Sequence, residues 1–114
     1  MNIIEDITTF VEGFQIPDNI PEMEDMLSRS IGWSQWLGGI VNACESNYAK
    51  LYEKCLGDLS GLEDETETTR KAKLNSWTAD KKRELQDFKL LYGNLKSIRM
   101  ALMQGIKTRR EEPR

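Results

Sequence analysis

Four residues near the middle of the chain have the types and spacing of a polyanion-binding face: Arg70, Lys73, Trp77 and Lys81. Their spacings of three, four and four residues would place them on one side of a helix. Lysine and arginine neutralise phosphates, and a tryptophan ring stacks on a base without reading its identity. This combination is typical of proteins that bind single-stranded nucleic acid.

Further basic residues extend this candidate nucleic-acid-binding set. They flank the first four or follow near the C-terminal end of the segment: Lys71, Lys82, Arg83, Lys107, Arg109 and Arg110. Two plainer interpretations stay open, because a basic face can simply be solvated, or it can pair with acidic residues of the same chain or a neighbour. Trp77 adjoins Leu74, so its ring could also belong to the core.

The charge of the chain is divided between its two parts. Residues 70–114 contain thirteen basic and five acidic residues, a net charge of +8. Residues 1–69 contain three basic and fourteen acidic residues, a net charge of −11, so the whole chain carries only −3. An asymmetry of this kind indicates polyanion binding.

The residue types present argue against catalysis. The chain has no histidine, which is the commonest general base and a frequent zinc ligand. It has no glycine-rich loop ending in Gly-Lys-Ser or Gly-Lys-Thr and no GxGxxG turn, and no serine or cysteine has an evident catalytic partner. We therefore predict a protein that is not an enzyme and that uses no cofactor and no metal.

The element that would position the basic residues is a long helix over residues 70–110. Hydrophobic residues recur in it at spacings near three and four, which predicts one buried stripe. Ser76 and Lys81 interrupt this pattern, so a break near residues 76–80 is a candidate feature. The stripe consists of Leu85, Phe88, Leu91, Tyr92, Leu95, Ile98, Leu102 and Ile106.

A second long helix is predicted over residues 21–57, with Pro21 at its start and Gly57 at its end. Seven-residue periodicity along it indicates a coiled-coil-like seam. Both cysteines fall on this seam, which predicts two free, buried thiols. The seam consists of Met23, Leu27, Ser30, Ser34, Leu37, Val41, Cys44, Tyr48, Leu51 and Cys55.

The remaining segments are short. Residues 1–16 contain a short amphipathic helix, which either braces the long helices or docks on a partner. Residues 58–69 are rich in acidic residues and predict an exposed loop. We therefore expect a single all-α domain: a long antiparallel helical hairpin with a short N-terminal helix.

A second apolar stripe, Trp33, Trp36 and Ile40, lies beside the seam of the 21–57 helix. A hairpin buries one stripe per helix, so this second stripe would lack a partner within the chain. Large exposed apolar patches mark association surfaces. We therefore predict a homo-oligomer whose interface includes these three residues.

Three short stretches carry a family resemblance. They are Trp33-Ser34-Gln35-Trp36-Leu37, then Ala79-Asp80-Lys81, and finally Ala101-Leu102 followed by Ile106-Lys107 and Arg109. In order and spacing they resemble the UvsY recombination mediator family of T-even-like phages over most of the chain. One departure is that the family has basic residues after its Trp-Leu stretch, where this chain has only Lys50 and Lys54.

The resemblance implies an all-helical protein that assembles into a ring and binds single-stranded DNA. It also implies two protein partners, a recombinase that is loaded and a single-strand-binding protein that is displaced. We therefore expect a phage-type recombination mediator or a related single-stranded-DNA-binding accessory factor. The alternatives are a small helical adaptor or inhibitor that binds another protein, or a virion-assembly protein, neither of which would bind nucleic acid.

The expected location follows from hydropathy. No apolar run approaches the roughly 20 residues needed to cross a bilayer, and the N-terminus lacks the pattern of a signal peptide. We therefore expect a cytoplasmic protein with no membrane partner, located in the host cell cytoplasm if a phage encodes it.

Overall fold

The computed structural model describes residues 2–60 and 66–111, which form three α-helices. Helix α1 spans Ile3–Glu12, α2 spans Ile20–Leu59 and α3 spans Glu67–Glu111. The described residues contain no β-strand, so the predicted all-α class is confirmed. The element order also agrees with the prediction of one short helix followed by two long ones.

Side-chain caps fix where the three helices begin. Side-chain oxygens of Asn2, Asn19 and Thr66 each accept a hydrogen bond from the backbone N–H three residues later, at 2.9, 2.9 and 3.2 Å. Such caps satisfy backbone donors that lack a partner in the first turn of a helix. The caps explain why α2 begins just before Pro21 and α3 begins before Arg70.

Helix α3 runs without interruption through residues 76–80, where the sequence pattern suggested a break. Thr78 occupies a buried position there and is 2% exposed. Its hydroxyl donates a hydrogen bond of 2.8 Å to the carbonyl oxygen of Leu74, one turn earlier. The polar side chain is thus satisfied within the helix, and no break is required.

Helix α2 extends two residues beyond Gly57, its predicted end. The reason is packing, because Leu59 is buried in a cluster with Cys55 and Leu74. The acidic loop predicted over 58–69 falls partly on residues 61–65, which lie outside the described residues. Both edges of that predicted loop are helical, up to residue 59 and again from residue 67.

The chain divides into two compact units. The terminal unit comprises Met1–Gly38 and Leu90–Arg114, and the central unit comprises Gly39–Lys89. Within each unit a part of α2 packs against a part of α3.

In the terminal unit α1 packs on both long helices. The core consists of Met23, Ile98, Leu102 and Ile106, and partly buried side chains of α1, of the segment after it and of α2 pack against this core: Phe10, Val11, Phe14, Ile20, Met26 and Leu27. The two long helices are antiparallel here, because Met23 packs near residues 98–106 while a Cβ on Gly38 would lie 3.5 Å from the Tyr92 ring. Since Ile7 is also fully buried, α1 acts as a brace.

Two serines interrupt the apolar seam of α2, and only one of them is satisfied. The Ser30 hydroxyl donates a hydrogen bond of 2.8 Å to the carbonyl oxygen of Leu27. Ser34 is 5% exposed, and its hydroxyl oxygen makes no hydrogen bond with any described residue. A buried hydroxyl without a partner destabilises the folded state.

We expect Ser34→Ala to raise the free energy of unfolding by about 1 kcal/mol or more, because it removes this unpaired group and improves helix propensity. Denaturant unfolding followed by circular dichroism would measure the change. Ser30→Ala is the matched control and should gain less, because it also removes a hydrogen bond. Equal effects of the two substitutions would show that the Ser34 hydroxyl has a partner in solution.

The central unit pairs α2 and α3 in the same antiparallel sense. Cys55 and Leu59 pack against Leu74, near the start of α3, while Glu45 forms a 3.1 Å ion pair with Lys89 farther along it. This arrangement agrees with the predicted seam.

Both cysteines are free thiols, as predicted, and both lie in the central unit. The prediction of two buried thiols holds for Cys55 only, because Cys44 is half-buried. Burial raises the pKa of the Cys44 thiol above its usual value, and the negative charge of Glu84 raises it further, against a smaller opposite effect of Lys81. The Cys44 thiol is therefore less reactive than an exposed one, because only the thiolate is nucleophilic.

Candidate nucleic-acid interface

Trp77 lies on the surface of the central unit. Trp77 is 45% exposed, whereas Leu74 and Thr78 beside it are 7% and 2% exposed. These two neighbours supply the buried positions of this part of α3. The alternative that Trp77 is a core residue is therefore wrong, and its ring is accessible for stacking.

The three cations of the first candidate face share the side of α3 that carries Trp77, as their spacing predicted. Lys81 is exposed, whereas Arg70 and Lys73 are half-buried and each interacts with a neighbouring group. The Lys81 ammonium nitrogen lies 3.4 Å from a Glu84 carboxylate oxygen. Exposed pairs of this kind contribute about 0–1 kcal/mol, so a phosphate can compete with Glu84 for Lys81.

The flanking cations Lys71, Lys82 and Arg83 are exposed but point elsewhere. At about 100° per residue, all three lie roughly 120–140° around α3 from Trp77. Lys71 also lies 3.7 Å from Glu67 in an exposed ion pair. The structure therefore does not bring these three residues onto the Trp77 face.

The last three predicted cations, Lys107, Arg109 and Arg110, belong to the terminal unit and are exposed. Arg110 forms a 2.7 Å ion pair with Glu24 at the start of α2. The basic end of α3 thus lies beside the acidic start of α2, which is the intrachain pairing that the sequence left open. This contact is favourable for both helix ends, because acids suit a helix start and bases suit a helix end.

The predicted oligomer stripe is only partly free. The Trp33 ring is half-buried, and its centroid lies 5.1 Å from that of Phe10 on α1 in an edge-on contact. The expectation that the stripe has no partner within the chain is therefore wrong for Trp33. Ile40 is half-buried, and Trp36 remains 38% exposed.

Sequence reasoning missed a groove in the central unit where aromatic and basic side chains meet across α2 and α3. Tyr52 and Leu56 are 37% and 46% exposed, and the Tyr52 ring centroid lies 6.2 Å from that of Tyr48. The only sequence signal was the four-residue spacing of the two tyrosines. The groove is lined by Tyr52, Leu56, Leu59, Ser60, Glu67, Arg70, Lys71 and Leu74.

Neither a metal-ion cluster nor a membrane-spanning helix is found in residues 2–60 and 66–111. This part of the chain contains no group of three or more cysteine, aspartate or glutamate side chains placed to hold a metal ion. None of its three helices is long and apolar enough to cross a membrane.

The chain matches no protein-family model, no curated protein and no solved structure. The resemblance to the UvsY family therefore rests on the three short stretches that begin at Trp33, Ala79 and Ala101.

Proposed function

We propose that this protein is a non-enzymatic, single-stranded-DNA-binding accessory factor of the recombination-mediator type, which assists the loading of a recombinase. The observation that supports DNA binding best is the exposed Trp77 ring beside Lys81 on α3. A large aromatic ring that is nearly half exposed and stands among cations suits a base and its phosphates.

The proposed mechanism is binding of the DNA strand through many weak contacts, without a chemical step. Each copy of the protein would stack one base on Trp77 and neutralise neighbouring phosphates with Lys81, Lys73 and Arg70. In a homo-oligomer the copies act together, because the first contact holds the strand at high effective concentration near the others. The assembly would present an extended strand to the recombinase while single-strand-binding protein is displaced.

The charge contribution can be tested through its dependence on salt. We expect Lys81→Ala to weaken binding of a fluorescent single-stranded oligonucleotide. It should also reduce the slope of log affinity against log salt by about 0.7 for each phosphate that a copy no longer neutralises. Lys73→Ala should act in the same direction. Fluorescence anisotropy at several salt concentrations measures both quantities.

Lys50→Ala is the matched control, because Lys50 is exposed on α2 and the substitution removes the same charge away from the Trp77 face. It should leave the slope nearly unchanged. If all three variants behave alike, the interaction is a diffuse effect of net charge rather than a site. If the wild-type protein binds no oligonucleotide at low salt, the adaptor, inhibitor or virion-assembly alternatives replace this proposal.

A further inference from the structure

The outward side of α3 in the terminal unit lacks the charges that normally cover such a surface. Five exposed residues at spacings of three and four form it, and we call them the α3 face: Leu90, Gly93, Ser97, Met100 and Gln104. Leu90 and Met100 are 66% and 63% exposed. Outward faces of helices in soluble proteins usually carry charged residues, so this face has the composition of a contact surface.

The outward side of α2 in the same unit also consists of exposed, uncharged residues. We call Ser28, Gly32, Gln35 and Trp36, which are all exposed, the α2 face. Residues 30–38 contain no charged residue, and Ile31 beside the face is 37% exposed. The α2 and α3 faces lie on opposite outer sides of the helix pair, because each points away from the core that the two helices share.

The two glycines on these faces have open space beside them. A Cβ added to Gly32 or Gly93 would meet no atom of the described residues within 4 Å, as is also true of Gly39 and Gly57 in the central unit. Glycine is among the poorest helix-forming residues, so its presence at two open helical positions is unfavourable for the isolated chain. By contrast, Gly38 is close to Tyr92 and has a packing reason within the chain.

The charges around the two faces favour contact of an α2 face with an α3 face over contact of two identical faces. Residues 20–38 contain three acidic residues and one basic residue, whereas residues 90–111 contain five basic residues and one acidic residue. Contact between two copies of residues 90–111 would place their net positive charges near each other, and contact between two copies of residues 20–38 would do the same with net negative charges. An antiparallel contact of α2 with α3 instead places acids beside bases, as Glu24 and Arg110 already do within the chain.

We propose that the α2 face of one copy packs antiparallel against the α3 face of a second copy, repeating the pairing found inside the chain. If α2 and α3 of the two copies align as they do within one chain, where Gly38 lies beside Tyr92, then Trp36 covers Gly93 and Ser97 lies over Gly32. Each copy then uses both faces and binds two neighbours, which gives a ring or a filament rather than a symmetric dimer. This inference rests on the assembly part of the proposed function and does not depend on DNA binding.

The test uses one charged substitution on each face, Gly32→Glu and Ser97→Glu, and sedimentation of the full chain without DNA. Each variant alone should be monomeric at concentrations where the wild-type protein assembles. An equimolar mixture should form a one-to-one dimer that grows no further, because each variant keeps the face that the other lacks. Thr68→Glu is the control, since it adds the same charge at an exposed position of the central unit and should assemble like wild type.

Three outcomes would overturn the inference. The first is a wild-type protein that is monomeric, and the second is assembly of both variants like wild type. The third is loss of assembly by only one variant, which would indicate a symmetric contact through the face that carries that substitution. Circular dichroism checks that both variants fold, and Gly32→Glu has open space for its side chain. Oligonucleotide binding by the same samples separates the proposals, because failure to bind with normal assembly counts only against DNA binding.

Discussion

Leu102→Ala is expected to lower the free energy of unfolding by about 2–5 kcal/mol. Leu102 is fully buried and shares the terminal-unit core with Met23, Ile98 and Ile106. Its truncation removes apolar contacts and leaves a cavity, and the surrounding helices can close that space only in part. Denaturant unfolding followed by circular dichroism would measure the loss.

Leu90→Ala is the matched control for this experiment, because it makes the same chemical change on the same helix at a site that is 66% exposed. It should change the unfolding free energy by no more than about 0.5 kcal/mol. Both variants should be measured at several protein concentrations, so that any contribution of assembly is separated from the stability of the chain. Similar losses for the two leucines would contradict the described orientation of α3.

Trp77→Ala is expected to weaken binding to single-stranded DNA by about 1–3 kcal/mol for each stacked base, or about 5- to 150-fold. The slope of log affinity against log salt should stay the same, because the substitution removes no charge. Thermal stability should fall less than in Leu102→Ala, because Trp77 is 45% exposed whereas Leu102 is fully buried. Stacking and charge can thus be measured independently in one assay.

Leu56→Ala provides the comparison for Trp77→Ala, because Leu56 is an apolar side chain of the same unit with a similar exposure of 46%. It should leave the affinity close to wild type. Loss of thermal stability together with unchanged affinity in Trp77→Ala would assign the ring to packing. Equal loss of affinity in both variants would move the binding surface to the groove beside Tyr52 and Leu56.

Periodicity predicted the helices and their buried sides well, because burial of one stripe per helix is a local property of the sequence. The four-three spacing from Met23 to Cys55 follows residues that are all buried or half-buried. The stripe from Leu85 to Ile106 is likewise buried or half-buried throughout. The end of α2 and the suggested break near residues 76–80 were predicted less accurately, because they depend on the burial of Leu59 and on the hydrogen bond of Thr78, which the pattern does not contain.

The candidate site was harder to predict, because it depends on which segments meet. Spacing grouped Arg70, Lys73, Trp77 and Lys81 on one side of α3, and the exposure of Trp77 agrees with that grouping. Charge counts alone could not reveal that Arg110 pairs with Glu24. The covering of Trp33 by α1 and the groove beside Tyr52 also required the packing of distant segments.

The two units differ in the length of chain that their contacts enclose. In the central unit Leu59 meets Leu74 across a short stretch, whereas the Glu24–Arg110 contact of the terminal unit joins residues 86 positions apart. The entropy lost on closing a loop grows with the logarithm of its length. Starting from the unfolded chain, the central contacts therefore cost less loop-closure entropy than the Glu24–Arg110 contact. Once the central contacts form, they shorten the loop that the Glu24–Arg110 contact must close. The entropic cost of pairing Glu24 with Arg110 therefore depends on whether the central contacts have formed. This holds although both residues belong to the terminal unit.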